Sequence, residues 1–88
     1  MDETNNNLFP LKIQPNPFTS STTFILPETI SLSECELVIS DFVGKTISII
    51  KPDNYYYEFK RESIASGIYN VQLIVNKSAV NTVKMMVH

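Results

Sequence analysis

Apolar and polar residues alternate with a period of two through most of this sequence, in short runs separated by proline, glycine, asparagine and aspartate. Period two is typical of a strand with one buried face, and no window carries the i, i+3, i+4, i+7 spacing of an amphipathic helix. Strands recurring at intervals of roughly 8–12 residues indicate an all-β sandwich or small barrel. The runs predict seven strands, over Leu11–Gln14, Ser21–Leu26, Glu34–Ser40, Thr46–Ile50, Tyr55–Lys60, Gly67–Val75 and Val80–His88.

The third run shows most clearly which side chains share a face. Cys35, Leu37 and Ile39 occupy alternate positions in it, so they are predicted to point together into a core. Cys35 is also the single cysteine of the sequence, which leaves no partner for an intramolecular disulfide. Its place on the apolar face predicts a buried, unreactive thiol rather than a reactive one.

The fifth run contains three consecutive tyrosines. Tyr55 and Tyr57 share a face with Phe59, and aromatic residues at period two on an amphipathic strand usually face inward, so we expect them at the edge of the core. The alternative is a stacking platform for sugars or bases that includes Tyr56. On that interpretation the chain would be an adhesive or carbohydrate-binding β-sandwich module.

Two of the connections have recognisable turn chemistry. The segment Asp41-Phe42-Val43-Gly44 predicts a type I turn closed by a left-handed glycine, which would join the third and fourth strands in a hairpin. Pro15 and Pro17 have no backbone donor, so the first strand is expected at a sheet edge. The last strand is a candidate docking edge, because an unpaired strand can add to a partner's sheet.

The side-chain inventory argues against catalysis and against bound cofactors. The single histidine, His88, ends the sequence, and with one cysteine there is no triad and no metal-ligand spacing. Gly44 and Gly67 are the only glycines, too few for a phosphate-binding loop. The formal net charge of −2, with scattered Lys and Arg, gives no basic stripe for nucleic acid. We therefore predict no enzyme activity, cofactor, metal or nucleic-acid partner.

The sequence also suggests a domain boundary near its start. Residues 1–8 are polar and rich in asparagine, and are predicted to be a flexible leader or linker remnant before a domain over residues 9–88. No apolar run approaches the ~20 residues that span a bilayer, and the first residues do not resemble a signal peptide. We therefore expect the chain to be either cytosolic or cut from a longer exported protein.

Four segments, in order, resemble the C-terminal sorting domain of cargo proteins of the bacterial type IX secretion system, also called the Por sorting domain. The resemblance covers residues 9–88, and each segment is weak alone. The segments are the Pro15-Asn16-Pro17 motif within 11–18, the Asp-x-x-Gly-Lys motif of Asp41, Gly44 and Lys45, the Gly67-x-Tyr69 motif within 64–69, and the Val83-Lys84-Met85-Met86-Val87 end. Ile64 replaces the family's usual leucine, and His88 stands where a basic residue is frequent.

The resemblance implies an immunoglobulin-like antiparallel sandwich at the C-terminus of a larger exported protein of the Bacteroidota type. It implies a signal that crosses the periplasm, is read by the outer-membrane translocon and is then cut by a sortase-like peptidase, with the cargo attached to the cell surface. The cut would fall near residues 5–9. Recognition by the machinery is expected at Gly67, Tyr69, Lys84, Met85 and Val87. For Gly67 and Tyr69, recognition and folding roles both stay open, as does an edge-strand dimer.

Overall fold

The computed structural model describes residues 8–88, which form seven antiparallel strands in two sheets. The predicted all-β class and the number of strands are confirmed, and the strand ends differ from prediction by two residues or fewer. Apart from Leu8, the predicted leader lies outside the described residues. The strands are β1 Lys12–Gln14, β2 Ser21–Ile25, β3 Cys35–Ser40, β4 Thr46–Ile50, β5 Tyr56–Lys60, β6 Gly67–Val75 and β7 Ser78–Val87, with a short 3-10 turn at Leu32–Glu34.

The two sheets pack face to face as an immunoglobulin-like sandwich. One has the order β1-β2-β5 and the other β4-β3-β6-β7, so the chain crosses between sheets three times, after β2, β4 and β5. β1 lies at an edge of the smaller sheet, as its prolines predicted. β7 lies at an edge of the larger sheet, next to β6.

The core lies between the sheets and follows the predicted alternation. Leu37 and Ile39 are fully buried and Cys35 is 2% exposed, so the predicted core face of β3 is confirmed. Phe24 of β2 is also fully buried and stacks on Phe59 of β5, with ring centroids 5.2 Å apart. The Phe24–Phe59 contact lies within the smaller sheet, and the burial of apolar side chains from both sheets in the shared core is the main force that holds the two sheets together.

β4 departs from the simple pattern of one buried apolar face. Ile47 and Ile49 are 39% and 60% exposed, whereas Ile50 is buried. A register shift opposite Ile39 and Ser40 places an extra residue in β4, and the strand lies at a sheet edge. The inward positions therefore fall on Ser48 and Ile50, and two isoleucines stay on the outer face.

Candidate recognition site

The Asp-x-x-Gly-Lys motif forms the turn between β3 and β4, as predicted. The Asp41 Oδ1 atom accepts hydrogen bonds from the backbone N–H groups of Val43 (3.1 Å) and Lys45 (2.9 Å). The Gly44 N–H donates to the Asp41 carbonyl at 3.0 Å, and Gly44 has φ +92°, which favours glycine. Asp41 and Gly44 thus shape a turn whose tip presents Phe42, 83% exposed, and Val43, 72% exposed.

The Gly-x-Tyr motif forms a tyrosine corner at the start of β6. The Tyr69 hydroxyl donates to the Ala65 carbonyl at 2.6 Å, and the residue is buried. Gly67 has φ +152°, a conformation that side-chain-bearing residues rarely adopt. Both residues therefore have a folding role in this structure, which the sequence alone left open.

The Pro-Asn-Pro motif is hydrogen-bonded to the last residues of the sequence. The Asn16 Nδ2 atom donates to the Lys84 carbonyl (2.8 Å), and the Met86 N–H donates to the Asn16 Oδ1 atom (2.9 Å). Phe18 continues the contact: its N–H donates to the Met86 carbonyl (3.1 Å), and its carbonyl accepts from the His88 N–H (2.9 Å). We call this pairing of Asn16 and Phe18 with residues 84–88 the edge clasp.

The edge clasp is anchored to the smaller sheet on its other side. Thr22 of β2 is 2% exposed, and its hydroxyl donates to the Pro15 carbonyl at 2.6 Å. The peptide bonds preceding Pro15 and Pro17 are both cis. The edge clasp corrects, over residues 84–88, the prediction that the last strand is a docking edge, because the outward groups from the Lys84 carbonyl to the His88 N–H are already bonded.

Arg61 joins three segments beside the edge clasp. Its Nη1 atom donates to the carbonyl oxygens of Thr19 (3.2 Å) and His88 (2.6 Å). Its Nε and Nη2 atoms donate to the Ile64 carbonyl (3.1 Å) and the Ser66 hydroxyl (2.9 Å). Sequence reasoning missed this residue. One indication was present in the sequence, because Arg61 is its only arginine. A guanidinium group has five donors in a fixed geometry, so it can bind several acceptors at once in a way that a lysine cannot.

The four motif segments converge on one end of the sandwich, which we call the motif end. Ser40 pairs with Asn70 and Asn70 pairs with Lys84, so the turn after β3, the start of β6 and the end of β7 lie together. The edge clasp adds the Pro-Asn-Pro segment to the same end. The structure thus brings together residues that are up to about 70 positions apart in the sequence.

The predicted recognition residues are unequally accessible at the motif end. Met85 is fully buried, and Val87 and Tyr69 are 2% and 7% exposed, so their side chains belong to the core. Lys84 is exposed, and Gly67 is exposed through its backbone. Recognition at these five positions stays a prediction. In the folded domain only two of the five, Gly67 and Lys84, are exposed and could contact a partner.

Other exposed side chains at the motif end were not predicted. Ile68 and Met86 are cross-strand partners and are 47% and 42% exposed. Phe42 and Val43 are exposed at the turn tip of the same end. Lys84 is exposed two positions before Met86, on the same face of β7. Apolar patches rimmed by polar groups are typical of protein interaction sites.

The tyrosine run gives little support to a stacking platform. The Tyr55 hydroxyl donates to the Ile30 carbonyl at 2.6 Å, and Tyr57 stacks on Phe24 with ring centroids 6.4 Å apart. Both pack against the core, which confirms the prediction of an aromatic core edge. Tyr56 is 59% exposed, so one tyrosine of the three presents its ring to solvent.

Cys35 lies in the core, as predicted. Burial, with a smaller contribution from the Glu36 carboxylate, raises the pKa of the Cys35 thiol above its ordinary value of 9.0. Within residues 8–88 no group of three or more His, Cys, Asp or Glu side chains lies close enough to hold a metal ion. In the same part of the chain, no helix is long and apolar enough to cross a membrane.

No protein-family model matches this chain, and no curated protein matches its sequence. A solved structure that it resembles is PorZ, an essential bacterial surface component of the type IX secretion system of the human oral bacterium Porphyromonas gingivalis. The two superpose with a TM-score of 0.63 and 20% sequence identity over 89% of this chain. The match spans 11% of the PorZ chain, and at this identity it establishes a shared fold.

Proposed function

We propose that this chain is a C-terminal secretion and sorting signal domain of the type IX secretion system. The observation that carries the proposal is the convergence of its four motif segments on the motif end, joined by the edge clasp and by Arg61. A signal read by another protein has to present its parts on one surface, and segments far apart in the sequence meet this requirement only through the fold. The shared fold with part of PorZ supports the same system.

In this proposal the domain is a substrate of the secretion machinery and performs no catalysis itself. It would direct an N-terminal cargo domain from the periplasm through the outer-membrane translocon. A sortase-like signal peptidase would then remove it and attach the cargo to the cell surface. The predicted cleavage region near residues 5–9 lies mostly outside the described residues, so the proposal specifies no bond there.

The surface that the machinery would contact is the exposed part of the motif end. Phe42 and Val43 at the turn tip, with Ile68 and Met86 on the neighbouring strands, supply apolar area. Apolar side chains surrounded by polar ones form the energetic centre of many protein interfaces. Lys84 would supply the charge at the edge of the contact.

The test is surface display of a reporter fused to residues 9–88, in a host with a working type IX system and in the same host without it. A third fusion lacks residues 80–88. We expect the reporter at the surface only for the intact fusion in the competent host. Retention of the intact fusion in the periplasm of the competent host, with the domain folded, would refute the proposal.

A further inference from the structure

One polar side chain interrupts the apolar inner face of β7. Counting back from the motif end, Val87, Met85 and Val83 occupy alternate positions and pack in or against the core. The next position in this series is Asn81, which pairs with Leu73, a fully buried residue of β6. Directly paired residues point to the same face of a sheet, so the Asn81 side chain is on the inner face, where a polar group needs a hydrogen-bond partner.

The partner of Asn81 lies near the start of the sequence. The Asn81 Nδ2 atom donates to the Phe9 carbonyl at 2.7 Å, between residues 72 positions apart. The Asn81 Oδ1 atom accepts from the Thr82 N–H at 2.8 Å, so both ends of the amide group are engaged. The first of these bonds joins an edge strand of the larger sheet to the segment that leads into β1 of the smaller sheet. We call the bond between Asn81 and Phe9 the entry clip.

Exposure along the chain changes sharply at the entry clip. Leu8 is 74% exposed, whereas Phe9 packs against the core and Leu11 is buried. Lys12, the first residue of β1, is already paired with Ile25 of β2. The chain is therefore held by the folded domain from Phe9 onward, by one side-chain hydrogen bond first and then by burial and strand pairing.

A peptidase needs the opposite arrangement, because it holds its substrate as an extended segment with free main-chain groups on both sides of the bond that it cuts. In the cut one peptide C–N bond breaks. The acyl carbon takes the hydroxyl group of water or the nitrogen of an amine acceptor, and the proton displaced from that nucleophile passes to the leaving amine. The Phe9 carbonyl is already bonded to Asn81, and Pro10 has no N–H to donate. The bonds after Phe9 are therefore closed to a peptidase while the entry clip holds.

We propose that Asn81 sets the downstream limit of cleavage at the cargo junction, so that a peptidase acting on the folded domain cuts before Phe9. The cargo and the peptidase in this inference rest on the proposed function, whereas the position of the limit rests on the entry clip alone. Asn81 is a positioning residue, because it holds the start of the domain and takes no part in the chemistry. The released domain keeps Phe9 packed against its core.

The first test treats the purified 88-residue chain with thermolysin, which cuts before large apolar residues, and follows the new N-termini by mass spectrometry. We expect the wild type to be cut before Leu8 much faster than before Leu11. Asn81→Ala should accelerate the cut before Leu11 about three- to tenfold, the effect of losing one hydrogen bond that keeps the segment closed. Asn54→Ala is the matched control, because it also loses one hydrogen bond but far from this segment, and it should leave that rate unchanged.

An Asn81→Ala variant that is cut before Leu11 at the wild-type rate would overturn the proposal, as would a wild type cut equally fast at both positions. The second test fuses residues 1–88 to the reporter in a host with a working type IX system and reads the N-terminus of the released domain. We expect it at or before Phe9, and an N-terminus beyond Phe9 would refute the limit. If the fusion is never exported or cut, the proposed function fails, and the thermolysin experiment still decides whether Asn81 closes the domain.

Discussion

Replacing Asn16 with alanine removes the centre of the edge clasp. The wild-type side chain makes two hydrogen bonds, with the Lys84 carbonyl (2.8 Å) and the Met86 N–H (2.9 Å). A typical hydrogen bond contributes about 0.5–1.5 kcal/mol net to stability. Both bonds lie at an exposed edge where water can replace them, so we expect the free energy of unfolding to fall by about 1–2 kcal/mol, in the lower part of the summed range.

Two measurements test this prediction: urea unfolding for global stability, and amide hydrogen exchange of the folded protein for local stability. The Met86 N–H should exchange much faster in Asn16→Ala than in the wild type. The amide of Val71, which lies between β3 and β7, should change its exchange rate only as much as the fall in global stability requires. Asn54→Ala is the matched control, because Asn54 accepts a single hydrogen bond, from the Tyr56 N–H. It should lose about half as much stability and leave Met86 exchange unchanged.

Either of two results would show that the edge clasp does not stabilise the end of β7. If Asn16→Ala unfolded at the wild-type urea concentration and its Met86 amide stayed protected, the two hydrogen bonds could not be what holds residues 84–88. An equal loss of stability with no local change at Met86 would likewise contradict the argument, because it would move the effect away from the edge of β7.

The remaining predictions concern three positions. Gly67→Ala should lower the free energy of unfolding by about 1–3 kcal/mol, because φ +152° is strained for alanine. Calorimetry should therefore show a lower melting temperature, and an unchanged melting temperature would contradict this prediction. Tyr69→Phe removes the bond to Ala65 and should cost about 1–2 kcal/mol in urea unfolding, with a native-like spectrum. The raised folded pKa of Cys35 means that the unfolded thiol ionises first, so stability should fall as pH rises above about 9, and Cys35→Ala should remove that part of the pH dependence.

Local pattern predicted most of the fold because strand faces are determined by neighbouring residues. The alternation of Cys35, Leu37 and Ile39 identified a core face, and Asp41 with Gly44 identified the turn that follows it. The outward position of Ile47 and Ile49 was not predictable in this way. It depends on a register shift and on β4 lying at a sheet edge, which are properties of the whole sheet.

The candidate site was harder to predict, because its contacts join distant segments. Asn16 and Met86 are 70 positions apart, and no local rule connects an asparagine between two prolines to the backbone of the last strand. Burial also changes the interpretation of the motif residues. Met85 and Val87 pack in the core, so substituting them would damage the fold before it tested any contact with a partner.

Exposed residues of the motif end therefore test directly whether the secretion machinery binds this surface of the folded domain. The measurement is surface display of a reporter fused to residues 9–88 that carries Phe42→Glu and Lys84→Glu together. Both side chains are exposed, so unfolding stability should stay within about 0.5 kcal/mol of the wild type. We predict that this stable variant is retained in the periplasm of a host with a working type IX system. Export at the wild-type level would show that the machinery does not depend on this surface.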